Sequence, residues 1–427
     1  KSEKSNIVQT EFCLYLCRSF NFNNKFGYHN DHTRYHCATD PAFSKAKKLN
    51  TKQMGSTIIN MIHKFQLQRN IVTPVNGEPM AFSALPPLVP FLPDEISIQI
   101  LARLSRSSHT TLSLVSRSWC SILRSQLLVA LRSSLHLSSP LLLLNVRTPS
   151  GSSLWFPVDP LPNPNPNLNP SLPSLPVSGA ATATLGHELY LLGGSLNGIP
   201  SAVVQIFDAA SRRWSLGPRM STGREFSAAA ALNGRIYAAG GCTPSASTWA
   251  EVLHPGGGGW DMVPSPSEVR ERWMHGCAVI GGRILVVVDR GGVVFDAEAG
   301  KWGPVPKKLD LGWRGRAAVV EGLLFTYDYL GKIRGYDLEA DQWLTVGGVE
   351  KGLPRFLHGA TLANYGGLLC LVWESRAQRK DMEIMCAGMR ISRTEAKGLV
   401  GEILWKEKLV LGVPKRSYIA HCVTVDL

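Results

Sequence analysis

Five residues early in the chain, Cys13, Cys17, His32, His36 and Cys37, are of the types that hold zinc. The spacing between the pairs fits no standard finger and no second Cys-rich half follows, so the grouping reads as coincidence. Three further histidines, His275, His358 and His421, fall at or near the starts of predicted strands, where they could line a channel as metal ligands. A catalytic metal set wants carboxylates or tyrosines converging with them, and none can be placed, so structural hydrogen bonding is the preferred role. Gly256, Gly257, Gly258 and Gly259 form a hairpin turn without the lysine or hydroxyl of a phosphate cradle. No Ser-His-Asp order and no close acid pair can be assigned. Neither a metal nor a cofactor is expected.

What does recur is arginine beside an aromatic ring: Arg224 and Phe226, Arg272 and Trp273, Trp313 and Arg314, then Arg355, Phe356 and His358. These residue types are over-represented where proteins grip one another, so the chemistry on offer is docking rather than bond making.

The elements that position these residues follow from composition and pattern. With 427 residues and 44% hydrophobic content the chain is long enough for two domains with buried cores. Charged residues are only 18%, against 40 Gly and 27 Pro, a balance that favours many short strands and tight turns and excludes a coiled coil. No window is long and apolar enough for a membrane helix or signal peptide. The nine cysteines, scattered from Cys13 to Cys422, suit a reducing compartment and free thiols; cytoplasm or nucleus is the expected location. Of the net charge of +13, residues 1–80 carry +6 and the remainder is spread without a cationic run, so no nucleic-acid or membrane partner is expected. Residues 1–80 lack helical or alternating period and read as disordered, with Met80 as the natural start.

A helical module is expected over residues 88–135. Leu92-Pro93-Asp94-Glu95 puts a proline and two acids where a helix N-terminus wants them. Ile96, Ile100 and Leu104 recur every four residues, and Leu112, Val115, Trp119, Ile122 and Leu123 follow at helical spacing, predicting two short amphipathic helices. So small a unit cannot hide all of that surface, so part of it must meet a neighbour or partner. The Leu-Pro-Asp-Glu opening, Ile100-Leu101-Ala102-Arg103-Leu104 and Val115-Ser116-Arg117-Ser118-Trp119 resemble an F-box, with Ser116 where many members have Cys. The resemblance implies docking on the Skp-type adaptor of a cullin-based ubiquitin ligase through Leu92, Pro93, Ile96, Ile100, Leu104, Leu112, Val115 and Trp119. The alternative is an ordinary helical hairpin packed on the next domain.

Residues 157–178 are dominated by Pro, Asn, Leu and Ser and read as a loop. Beyond them the sequence repeats. Gly186-His187-Glu188-Leu189-Tyr190-Leu191-Leu192-Gly193-Gly194 is echoed by Asn233-Gly234-Arg235-Ile236-Tyr237-Ala238-Ala239-Gly240-Gly241, and more faintly three times further on. Each turn-strand unit leads to a strand ending near a tryptophan, at Trp214, Trp260, Trp302, Trp343 and Trp405, spaced 46, 42, 41 and 62 residues apart. A period in the forties, with units that bury their faces only by stacking, predicts propeller blades. The double glycine, the Asp five to six residues before a Trp and the upstream Arg resemble kelch repeats.

The predicted fold is therefore mainly β: a kelch-type β-propeller over residues 141–427, preceded by a small all-α F-box module and a disordered N-terminal segment. Inner strands near residues 180–183, 226–232, 274–280, 315–320 and 357–362 make five, and residues 418–425 supply a sixth without outer strands. Residues 141–159 supply outer strands without an inner one, so joining the halves closes a six-bladed ring; five or seven remain open because the last unit is long.

The segments entering each inner strand converge on one rim, making Arg224, Phe226, Arg272, Trp273, Trp313, Arg314, Arg355, Phe356 and His358 the candidate substrate-docking residues. The alternative is that Trp273, Trp313 and Phe226 are inter-blade core and the arginines pair with carboxylates inside. The double resemblance implies a non-catalytic substrate receptor of a ubiquitin ligase. Its partners would be the Skp-type adaptor, through it a cullin, and a target protein; enzymes of phenylpropanoid or flavonoid synthesis are targets of some members. The competing readings are a propeller enzyme, a copper oxidase or a sugar-processing hydrolase, and a scaffold that recruits without marking for degradation.

Overall fold

A computed structural model describes residues 87–89, 92–159, 177–243, 246, 248–266, 274, 276–288, 291–313, 315–328, 330–357, 359–375, 382–394, 398–409 and 412–427. The expectations for residues 1–80, and most of the Pro/Asn-rich stretch, lie outside them. The chain divides into two compact units, residues 1–138 and 139–427. No helix among the described residues is long and apolar enough to cross a membrane, and the six described cysteines are free thiols.

The described residues of the first unit hold four helices where the periodicity predicts two: α1 (Asp94–Arg103), α2 (Arg106–Leu112), α3 (Arg117–Leu123) and α4 (Gln126–Ser134). Serines cut the apolar stretch into pieces. Ser105, Ser116 and Ser125 sit at N-cap positions, and the last two accept a bond from the amides of Trp119 and Leu128, satisfying donors that a helix start leaves open. Ser116, the departure from the family pattern, thus has a local task. Pro93 precedes α1, with Asp94 and Glu95 in its first turn and Arg103 in its last, each matched to the helix dipole. Ile98, Leu101, Trp119, Ile122, Leu128 and Leu131 form the core. The Trp119 indole N–H donates to the Leu88 carbonyl at 2.6 Å, and the Leu88 amide to Asp94 Oδ1 at 2.8 Å. Arg132 is buried and donates to the carbonyls of Ala102, Leu104 and Leu137, tying the end of α1 to the segment after α4.

The second unit is built from antiparallel sheets. Strands β3 (Ala181–Leu185), β4 (Glu188–Leu192), β7 (Val204–Asp208) and β8 (Arg213–Leu216) form one, with a small hairpin of β5 (Ser195–Leu196) and β6 (Ile199–Pro200) rising between β4 and β7. The next is β9 (Ala228–Leu232), β10 (Arg235–Ala239), β11 (Ala250–Leu253) and β12 (Trp260–Val263). It is followed by β13 (Gly276–Ile280), β14 (Arg283–Val287), β15 (Val293–Asp296) and β16 (Lys301–Pro304). After a short helix α5 (Lys307–Gly312) come β17 (Ala318–Val320), β18 (Leu323–Tyr327), β19 (Ile333–Asp337) and β20 (Gln342–Gly347). The last full set is β21 (Thr361–Tyr365), β22 (Leu368–Ser375), β23 (Glu383–Arg393) and β24 (Leu399–Leu409). These two sets join through a parallel pairing of Val346 with Leu399 and Gly347 with Val400. Finally β25 (Tyr418–Asp426) pairs with β1 (Pro140–Arg147), which pairs with β2 (Ser153–Val158).

The innermost strands β25, β3, β9, β13, β17 and β21 each neighbour the next, and β21 returns to β25. Six apolar cores lie one between each adjacent pair of sheets. The result is a closed ring of six blades, with the first and last strands of the unit zipped into one sheet. The 62-residue final spacing reflects the long β23–β24 hairpin, bulged at Gly388/Met389, rather than an additional blade.

The repeat residues have mechanical roles. Asp208, Asp296 and Asp337 each accept backbone amides two and three residues on, fastening the turn before the tryptophan strand. The indoles of Trp260, Trp302 and Trp343 donate to carbonyls of Pro218, Pro264 and Lys308, each just beyond the outer strand of the preceding blade. They are half-buried latches between blades. Gly193 and Gly241 have φ of +64° and +66°, and a Cβ there would sit 2.4 Å from the Arg224 carbonyl or 2.6 Å from that of Glu225. Only glycine meets both demands.

Candidate docking surfaces

In the helical unit the eight residues implied as adaptor contacts split in two. Trp119, Leu112 and Ile100 are 1%, 7% and 8% exposed. They are corrected to core: their helical spacing aims them at the other helices, and they are not a free surface. Leu92, Leu104 and Val115 are half-buried, while Pro93 is exposed and Ile96 is 36% exposed. Leu114, which the helical spacing passes over, is 83% exposed in the turn before α3. Among the described residues Pro93, Ile96 and Leu114, with Leu137 at 38% after α4, are exposed apolar groups of this unit.

In the ring, strand alternation fixes which loops share an end. Each inner strand starts at the same end, so the loops entering inner strands and those joining second to third strands all lie there. Arg224 and Trp313 are on such loops but face inward. Arg224 is fully buried: it gives two bonds to Glu251 Oε1, at 2.9 and 2.8 Å, and others to the carbonyls of Gly240, Trp249 and Thr248. Glu251 Oε2 accepts the Ser221 amide. Trp313 is buried in the core between the third and fourth full blades and donates to the Gly315 carbonyl. Both are corrections: they hold the scaffold and cannot touch a partner, Arg224 because its charge is spent on Glu251 and three carbonyls, Trp313 because its ring fills the space between blades. Arg272, Trp273, Arg314 and His358 lie outside the described residues, as does His275.

Phe226, Arg355 and Phe356 remain exposed at that end, Phe356 by 61%, with the Arg355 guanidinium over its ring. Phe226 adopts φ +52°, a conformation bulky side chains rarely take; strain of this kind gathers at working surfaces. Leu196 and Ile199 on the β5–β6 hairpin and Leu330 between β18 and β19 share the exposure and the end. The arginine-aromatic pattern does not reach these three; the signal is their place in second-to-third-strand loops.

The mouth of the ring at this end contains Arg316, just before β17, Arg147, at the end of β1, and His421 on β25. His421 stacks on Trp155 with ring planes 10° apart. Burial, then Arg316 and Arg147, lower its pKa to about 4. Two neighbouring cations make this imidazole a poor place for a metal ion. Because the folded pKa lies below the ordinary 6.5, protons bind the unfolded chain more tightly. The stability this group contributes is complete above pH 6.5 and is lost as pH drops toward about 4. The loss assignable to this group is about 2–3 kcal/mol. Urea melts at pH 7 and pH 4.5 should differ less in His421→Asn than in the parent.

The helical unit and the ring each match a known family. Residues 90–130 match the F-box domain model and residues 163–410, more than half of the chain, the model described as "FKB95, Kelch-repeats domain". Among curated proteins, F-box/kelch-repeat protein At4g39550 of Arabidopsis thaliana is 31% identical over 369 residues, covering 78% of this chain and 93% of that protein. F-box/kelch-repeat proteins At4g39580 and At4g29370 of the same plant are 30% and 31% identical, each over 79% of this chain and 94% and 93% of theirs. A helical unit with exposed apolar groups is thus followed in this chain by a six-bladed ring with an apolar-rimmed mouth, and the chain belongs to the plant F-box/kelch-repeat protein family.

Proposed function

We propose that this chain is the substrate-recognition subunit of an SCF-type ubiquitin ligase, in which the helical unit docks a Skp-type adaptor, and through it a cullin, while the ring holds a target protein. The observation that carries the reading is the concentration of exposed Leu196, Ile199, Phe226, Leu330 and Phe356 at the one end of the ring. Apolar and aromatic side chains left in water on a rigid scaffold, with an arginine beside them, have the make-up of a protein-binding hot spot. The chain's contribution is proximity rather than bond chemistry: it raises the effective concentration of target lysines near the charged ubiquitin carrier. Enzymes of phenylpropanoid or flavonoid synthesis are the target class to test first, by analogy with the family.

The test is affinity capture from plant extract under proteasome inhibition, comparing the parent with a Phe226→Ala, Phe356→Ala double variant. Proteins bound through the rim should fall by about tenfold or more in the variant, since two anchors of this kind are worth about 1–2 kcal/mol each. The adaptor should be retained equally. Equal recovery of every captured protein would remove the rim from the account.

A further inference from the structure

We propose that the cavity at the loop-bearing mouth of the ring is a binding site for a small organic anion, an apolar body ending in a carboxylate. The cavity measures about 480 Å³, within the size range of small-molecule sites. Its lining holds cationic and polar groups, among them Arg147, Arg316, Asn145 and Ser153, and apolar ones, among them Trp155, Val177, Leu191 and Met274. A ligand with a charged group on an apolar body meets both.

Of the two arginines, Arg316 is held in place and Arg147 is not. Arg316 is held by backbone carbonyls alone: Nη2 donates to Ile419 at 2.7 Å and Ala420 at 3.4 Å, and Nη1 to Gly359 at 3.3 Å. These bonds orient the guanidinium without neutralising it. The Arg147 side chain makes no hydrogen bond or ion pair with any described residue. Among the described residues no carboxylate lines the cavity. An anion in the cavity would receive charge-assisted bonds from guanidinium groups that no described carboxylate of its lining neutralises. Asn145 is nearly fully buried and donates to Ser153 Oγ at 2.9 Å, which leaves the serine hydroxyl hydrogen free to point elsewhere, including to a bound carboxylate.

The size of the space and its apolar lining favour a molecule over a bare ion. Inorganic phosphate would meet the arginines and leave Val177, Leu191 and Met274 unused.

This inference goes beyond the receptor reading and does not rest on it, because the purified chain alone is enough for the test. Isothermal titration of the full chain with 3-phenylpropionate, its uncharged amide 3-phenylpropanamide, and inorganic phosphate separates the contributions. Saturable one-to-one binding of the acid is expected, with the amide and phosphate each weaker by about tenfold or more. Arg147→Gln removes a charge that bonds nothing in the fold, so it should weaken the acid about tenfold while leaving the thermal melt in place. Arg316→Gln should do the same, with the melt showing whether the ring survives. No saturable binding of the acid at millimolar concentration, equal affinity for the amide, phosphate binding as tight as the acid's, or unchanged affinity in a folded Arg147→Gln protein would each overturn the proposal.

Discussion

Replacing Glu251 by alanine should lower the stability of the ring by about 3–5 kcal/mol, the range for removing one partner of a buried ion pair. Both side chains are wholly excluded from water, and Arg224 can neither swing to solvent nor lose its proton. Without Glu251 the Ser221 amide loses its acceptor as well, and the guanidinium keeps only the carbonyls of Gly240, Trp249 and Thr248. Replacing both by apolar residues, Arg224→Met with Glu251→Leu, should recover much of the loss, because no orphaned charge remains. The comparison is Arg390 with Glu402, 62% and 68% exposed, where Glu402→Ala should cost less than about 1 kcal/mol. Denaturant melts of the three variants decide the matter. A Glu251→Ala protein as stable as the parent would mean that the buried pair does not hold this blade.

The second large effect lies in the helical unit. Trp119→Ala should cost about 3–5 kcal/mol, as for other buried aromatic truncations. It empties the centre of a small core and orphans the Leu88 carbonyl, which otherwise holds the segment before α1. A unit of this size has only a few kcal/mol to lose, so loss of helical circular dichroism from this region is expected. Adaptor capture by this variant then fails through unfolding. Ile96→Asp is the informative contrast, because it alters an exposed position and leaves the core alone.

Much of the ring can be read from the chain because its cause is periodic. A glycine turn, a strand and a tryptophan recur with each blade, and the unmatched halves at residues 141–159 and 418–425 are the segments that pair as β1, β2 and β25. What the chain hides is direction. Arg224 and Trp313 have the residue types of a docking rim, but their side chains turn inward to Glu251 and to an inter-blade core, partners 27 residues away or on another blade. A hot-spot composition does not distinguish a surface from a scaffold. Arg316 lies two positions past Arg314 in the same loop, and only the strand register shows that it reaches the mouth. In the helical unit, helical spacing alone does not separate Trp119, which faces the core, from Ile96, which faces water. The serine caps that divide the helices act through single hydrogen bonds and leave the apolar spacing unchanged.

The most direct measurement is capture of a purified Skp-type adaptor by the full-length chain, compared with the Ile96→Asp, Leu114→Asp double variant. Both side chains are exposed, so the variant should melt with the parent and yet lose adaptor capture by about a hundredfold, as expected for two charges forced into an apolar contact. Undiminished capture by the folded variant would contradict the assignment of this edge, and with it the receptor role proposed for the chain.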